Sequence, residues 1–100
     1  MLEPKPGDPL RIHIWVTGHV QGVGFRAFVQ DSGVQFGLTG WVHNVGDDTV
    51  EMVAEGPRGR LEMFAEAAKN GPRAGRVDEA KIEYQNATGE FQDFCVKYGT

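Results

Sequence analysis

The chain has 100 residues, a length that suits one domain with a single shared core and leaves no room for a separate cofactor domain. Its apolar fraction of 40% and charged fraction of 24% are ordinary for a globular fold that needs neither disulfides nor oligomerisation, so a monomer is expected. A formal charge of -4 speaks against a nucleic-acid partner, which needs many clustered Lys and Arg contacts, and the single cysteine, Cys95, excludes an intrachain disulfide.

Residues 1–9 hold three prolines and a glycine without apolar periodicity and read as a flexible leader, not a targeting signal; residues 10–100 form the one domain. Without an apolar h-region or long apolar run, the expectation is a cytoplasmic protein with no membrane partner. From Leu10, the residues Leu10, Ile12, Ile14 and Val16 alternate with Arg11, His13, Trp15 and Thr17, the period of a half-buried strand ending at Gly18. The glycine-rich stretch 18–24 follows as a loop. Phe25, Phe28, Val29 and Phe36 then recur at helical spacing, with Gly33 a local weakness and Gly37 placed as the residue that ends the helix.

Residues 38–45 read as a second strand, Gly46-Asp47-Asp48 as a turn, and residues 49–55 as a third strand closed by Gly56-Pro57. Leu61, Phe64, Ala65 and Ala68 fall at i, i+3, i+4 and i+7, an amphipathic helix that stops before Gly71-Pro72. Residues 76–84 and 94–98 supply a fourth strand and a short last one, separated by the turn-prone residues 86–89. The order β-α-β-β-α-β is that of an α+β, ferredoxin-like sandwich, an antiparallel sheet with two helices on one face. That scaffold serves many purposes, so function must be read from the site.

Three glycines within residues 18–24 allow successive backbone N–H groups to converge on an anion, and the helix that follows adds its own unpaired N–H groups. Arg26 lies in the first turn of that helix, where a positive charge opposes the helix dipole unless an anion sits between them. A guanidinium can also clasp two phosphate oxygens at once. The alternative is a turn chosen for shape, with Arg26 in solvent. The loop lacks the Gly-Lys-Ser/Thr ending of a nucleotide-binding P-loop and does not fit the G-x-G-x-x-G dinucleotide pattern.

The segment Val16-Thr17-Gly18-His19-Val20-Gln21-Gly22-Val23-Gly24-Phe25-Arg26 resembles the phosphate-binding signature of acylphosphatases. The second signature of that family is matched by Gly40-Trp41-Val42-His43-Asn44, followed by Val50 and Gly56-Pro57, and the similarity runs over about residues 10–98. The resemblance implies a hydrolase for small acyl phosphates, such as those of acetate, carbamate or phosphoglycerate. Inorganic phosphate would be both product and competitive inhibitor, and no metal or other cofactor is expected. It also implies that Arg26 binds the phosphoryl group and that Asn44 orients the attacking water. His19, Val20, Gln21, Gly22, Val23, Gly24 and Phe25 would contact phosphate mainly through their backbone. Two positions depart from the family pattern: Asp48 stands where a turn glycine is usual, with a left-handed conformation at some cost, and His43 stands where a basic residue is common.

An acyl phosphate loses a carboxylate that is stable at neutral pH, so no general acid is needed and positioning with electrostatics can suffice. Other candidates are weaker. His13, His19 and His43 have no evident carboxylate partner or metal-ligand spacing. Cys95 reads as a small packed thiol with no paired histidine, Trp15, Trp41 and Tyr98 as core or sheet-face residues, and Asp47 and Asp48 as turn residues. Two other classes stay open at this point. One is a non-catalytic anion-binding module resembling the N-terminal part of hydrogenase maturation proteins, and the other is a small RNA-binding ferredoxin-like domain.

Overall fold

The computed structural model describes residues 8–98. The expected leader therefore lies largely outside the described residues, and its last position, Pro9, already pairs with Pro57. In chain order the elements are β1 Pro9–His19, α1 Phe25–Gln35, β2 Thr39–Val45, β3 Thr49–Pro57, α2 Arg58–Asn70, β4 Arg76–Asn86 and β5 Phe94–Val96. The strands form one sheet in the order β4-β1-β3-β2-β5.

The two-residue alternation of β1 and β3 decides which face the helices cover. Ile12, Ile14 and Val16 of β1 and Val50, Met52 and Ala54 of β3 have no exposed surface, and they meet Phe25 and Val29 of α1 and Leu61, Phe64, Ala65 and Ala68 of α2. All four residues of the expected apolar stripe on α2 are buried there. Helix α1 ends as anticipated: the Gly37 N–H donates to Val34 O at 3.0 Å and the Leu38 N–H to Gly33 O at 2.8 Å, the paired bonds of a Schellman closure. Gly33 has a packing reason, since an added Cβ would lie 2.4 Å from the ring of Phe94.

Two expectations change. The sheet is mixed, because β5 pairs parallel to β2, with Gly40 opposite Phe94, while the other pairings are antiparallel. In the turn between β2 and β3 the left-handed residue is Gly46, with φ of 59°, and no described non-glycine residue has positive φ. Asp48 therefore bears no backbone strain; its carbonyl accepts the Gly18 N–H at 3.0 Å.

β4 and β5 lie at opposite edges, so the connection over residues 87–93 must pass the ends of β1 and β3. Glu55, only 5% exposed, fastens it. Its carboxylate accepts from Arg11 Nε at 2.7 Å, from the Thr88 N–H at 2.9 Å and from the Gly89 N–H at 3.0 Å, while Arg11 also pairs with Glu90 and lies over the Phe91 ring. Partial burial pushes the Glu55 carboxyl up, but the bonds from Thr88, Arg11 and Gly89 outweigh it and hold the pKa below the ordinary 4.5. A depressed carboxyl contributes stability that is fully present above its unfolded value and is lost as pH falls through its folded value. Glu55→Gln is expected to lower unfolding free energy by about 2 kcal/mol at neutral pH, with the difference shrinking as pH falls below 4.5. Denaturant titrations at pH 7 and pH 3 check this; an equal difference at both values would remove the charge from the explanation.

Candidate active site

β1 and β2 both run antiparallel to β3, so they point the same way, and α1 begins just beyond the end of β1. Between them the loop turns on Gly22 and Gly24, at φ of 76° and 77°, a left-handed conformation readily taken only by glycine. Gly24 is the N-cap of α1, and no side chain caps it and no acidic residue occupies the first turn. The first helical bond runs from the Phe28 N–H to Gly24 O at 3.0 Å, so the N–H groups of Phe25, Arg26 and Ala27 have no intrahelical acceptor.

These groups border a cleft of about 170 Å³, whose wall comprises Val20, Gly22, Gly24, Phe25, Arg26 and Ala27 with Asn44 and Tyr98. Val20 and Phe25 are rooted in the core, at 1% and 2% exposure, which anchors the loop on both sides of its glycines. Arg26 is half-buried; its guanidinium carbon lies 4.7 Å from the centre of the Tyr98 ring, and among the described residues it makes no ion pair. Asn44 follows the inward-facing Val42 by two positions on β2, so it stands on the helix side, and its carboxamide has no hydrogen-bond partner among the described residues. Among the described residues, then, a guanidinium with no ion pair, N–H groups with no intrahelical acceptor and a carboxamide with no hydrogen bond share one small cleft.

Of the residues expected at the site, Val20, Gly22, Gly24, Phe25, Arg26 and Asn44 line this cleft. His19 does not: it belongs to β1, pairs with Arg76 and is exposed. The Gln21 amide turns instead to the carbonyls of the β2–β3 turn, and Val23 packs against the core near Gly75. Ala27 and Tyr98 are additions. Tyr98, 78% exposed, is neither core nor sheet face as expected, but a cover on Arg26. It stands far from Arg26 in the chain, and only the return of β5 beside β2 brings the two together.

The open face of the sheet holds a second polar group. His13 and His43 do have a carboxylate partner, contrary to expectation: Glu51 receives the Nε2 of each at 2.6 Å. Strand register creates this, since Glu51 lies directly opposite His43. Partial burial raises the Glu51 carboxyl, but the His43 and His13 bonds prevail and its pKa is lowered. Trp15 stacks on His13 with ring centres 3.7 Å apart, and Lys81 and Lys97 lie over Trp15 and Trp41. Cys95 is also corrected. It is exposed rather than packed, because Phe94 takes the inward position on β5, and its thiol donates to Asp93 Oδ1 at 2.9 Å, which raises its pKa. A hollow of about 570 Å³ on this face, beside Trp15, Thr17, Glu79 and Lys81, is larger than the cleft. No described helix is long and apolar enough to cross a membrane.

Because Tyr98 is largely exposed, its contact with Arg26 contributes only about 0.5–1 kcal/mol. Tyr98→Ala is expected to lower the unfolding free energy by no more than that amount, as read by denaturant titration.

The acylphosphatase family model matches residues 12–96. The acylphosphatase of Syntrophotalea carbinolica is 43% identical over 90 residues, covering 90% of this chain and 98% of that protein. The crystal structure of acylphosphatase from Bacillus subtilis superposes with a TM-score of 0.85 at 40% identity, covering 89% of this chain and 99% of that one. HypF from T. kodakarensis contains a similar unit within a far larger chain: TM-score 0.75 and 34% identity, over 89% of this chain and 12% of HypF. On the matching fold, both signature segments and these relatives, the chain belongs to the acylphosphatase family, enzymes that hydrolyse acyl phosphates.

Proposed function

We propose that this chain cleaves the carboxyl–phosphate bond of small acyl phosphates by in-line attack of a water oriented by Asn44. In this reading Arg26 and the backbone N–H groups of the loop and first helical turn hold the phosphoryl group, and no metal takes part. One observation carries the reading: Arg26, with no ion pair among the described residues, stands at the N-terminus of α1, which no side chain caps, and its charge there opposes the helix dipole by about 0.3–1 kcal/mol until an anion lies between them. A phosphoryl group resolves that opposition and accepts the otherwise unpaired N–H groups.

The water oxygen forms its bond to phosphorus as the bond to the acyl oxygen breaks. The carboxylate departs with the bonding electrons, and the water's proton leaves with the phosphate. Negative charge spread over the equatorial oxygens is met by the guanidinium and N–H groups already in place, so little reorganisation accompanies the reaction. Asn44 can accept one hydrogen bond from the water and donate another, which aligns it without a strong base. Among the side chains lining the cleft there is no carboxylate, imidazole or thiol to hold a metal ion.

The two principal side chains should fail differently when removed. Arg26→Ala is expected to abolish both turnover of benzoyl phosphate and binding of inorganic phosphate, and Arg26→Lys to restore little, since an ammonium lacks the planar fork. Asn44→Ala should keep phosphate affinity within a few-fold and lower kcat by about 10². Steady-state kinetics with a parallel phosphate titration on each folded variant decides this; loss of phosphate binding in Asn44→Ala would overturn its role. Activity is expected to survive exhaustive chelation, and inorganic phosphate to inhibit competitively and raise the Tm. Phosphate binding by the unaltered chain without any turnover would instead favour the non-catalytic module.

A further inference from the structure

Gln21 lies between two residues that line the cleft, Val20 and Gly22, yet its side chain points elsewhere. Its Nε2 is 2.9 Å from Thr49 O, 3.0 Å from Gly46 O and 3.3 Å from Val45 O. These carbonyls belong to the turn joining β2 to β3 and to the residues flanking it, and Val45 directly follows Asn44. Two amide hydrogens are thus shared among three main-chain acceptors. A main-chain bond also ties this turn to the end of β1, from the Gly18 N–H to Asp48 O at 3.0 Å.

We propose that Gln21 is a positioning residue that sets the separation between the phosphate-holding loop and Asn44. The proposal rests on the reading above, in which Asn44 orients the water. The loop and Arg26 form one continuous stretch, 20–26, and can grip phosphate whatever the exact position of the hairpin. The approach of the water to phosphorus, by contrast, depends on how far β2 stands from that stretch, and a misplacement of about 1 Å can lower a rate about 10²-fold. Gln21 therefore acts on the rate of the chemical step and hardly at all on ground-state affinity. The Gly18 bond to the turn does not involve the Gln21 side chain, so the chain retains a tether there when the amide is removed.

The test uses benzoyl phosphate hydrolysis and inorganic phosphate titration of the full chain. Gln21→Ala is expected to lower kcat by about 10–10² and to leave the phosphate Kd within about threefold. Because Gln21 acts through Asn44, Gln21→Ala combined with Asn44→Ala should be no slower than Asn44→Ala alone, whereas an independent structural role would add its own loss. Gln21→Glu keeps the shape but replaces the donor with an anion facing three carbonyls, so its kcat should be low at neutral pH. On protonation it regains one donor, and kcat should rise as pH falls, with the midpoint above the ordinary glutamate value. Asp47 and Asp48 of the turn, His19 of β1 and Arg26 are common to Gln21→Ala, which should lack that acid limb. Normal kcat in Gln21→Ala while Asn44→Ala is slow would overturn this proposal alone, as would strict additivity or a Gln21→Glu profile without the acid limb. Normal kcat in Asn44→Ala would overturn the underlying reading as well.

Discussion

The nine-residue register between β1 and β3, from Pro9 opposite Pro57 to Thr17 opposite Thr49, is the constraint on which the other features depend. A shift by one position would turn Ile12, Ile14 and Val16 to the open face and strip both helices of their core. The same register decides where β1 ends, and so where the loop, the start of α1 and the β2–β3 turn meet. At the opposite end it sets Arg11 against Glu55, where the crossing to β5 is fastened. Core and cleft are therefore not separate achievements of the fold, since one set of main-chain bonds positions both.

Charge is treated in opposite ways at the two ends of this sheet. Glu55 is nearly buried and surrounded by donors, so its ionised form is held in place and contributes to stability. Among the described residues Arg26 has no carboxylate partner, and it stands beside N–H groups of the first helical turn that have no intrahelical acceptor. An internal carboxylate there would have added stability in the way the donors around Glu55 do at the other end.

Local pattern made most of the fold legible. The alternation of Leu10 to Thr17 and the stripe of Leu61, Phe64, Ala65 and Ala68 depend only on a strand's or helix's own period. The cleft's lining was legible where its parts are contiguous, because Gly22, Gly24 and Arg26 fall within a few residues, while Asn44 was reached only through the family resemblance. Contacts set by strand register were not. The union of His13 and His43 through Glu51 needs the alignment of three strands, and Tyr98 reaches Arg26 only through the parallel placement of β5. Cys95 was misjudged because its neighbour Val96 is apolar, although successive residues of a strand face opposite ways. At Asp48 the family's usual glycine suggested strain, but Gly46 takes the left-handed position.

β4 forms one edge of the sheet. It spans Arg76–Asn86, pairs on one side with β1 and has nothing beyond it in the sheet order. The N–H and C=O groups of an eleven-residue strand that point away from its one neighbour would ordinarily template another strand, and every repeat of that event would extend a fibre. This strand carries Arg76, Asp78, Glu79, Lys81 and Glu83 along its length, and a bulge at its own Asp78, opposite the Thr17–Gly18 step of β1, twists its start. Desolvating those charges against a second copy would oppose pairing. The other edge, β5, is protected by brevity, since its three residues offer too few bonds to hold a partner. The two edges thus oppose strand pairing by different means, charge and a bulge on β4 and brevity on β5.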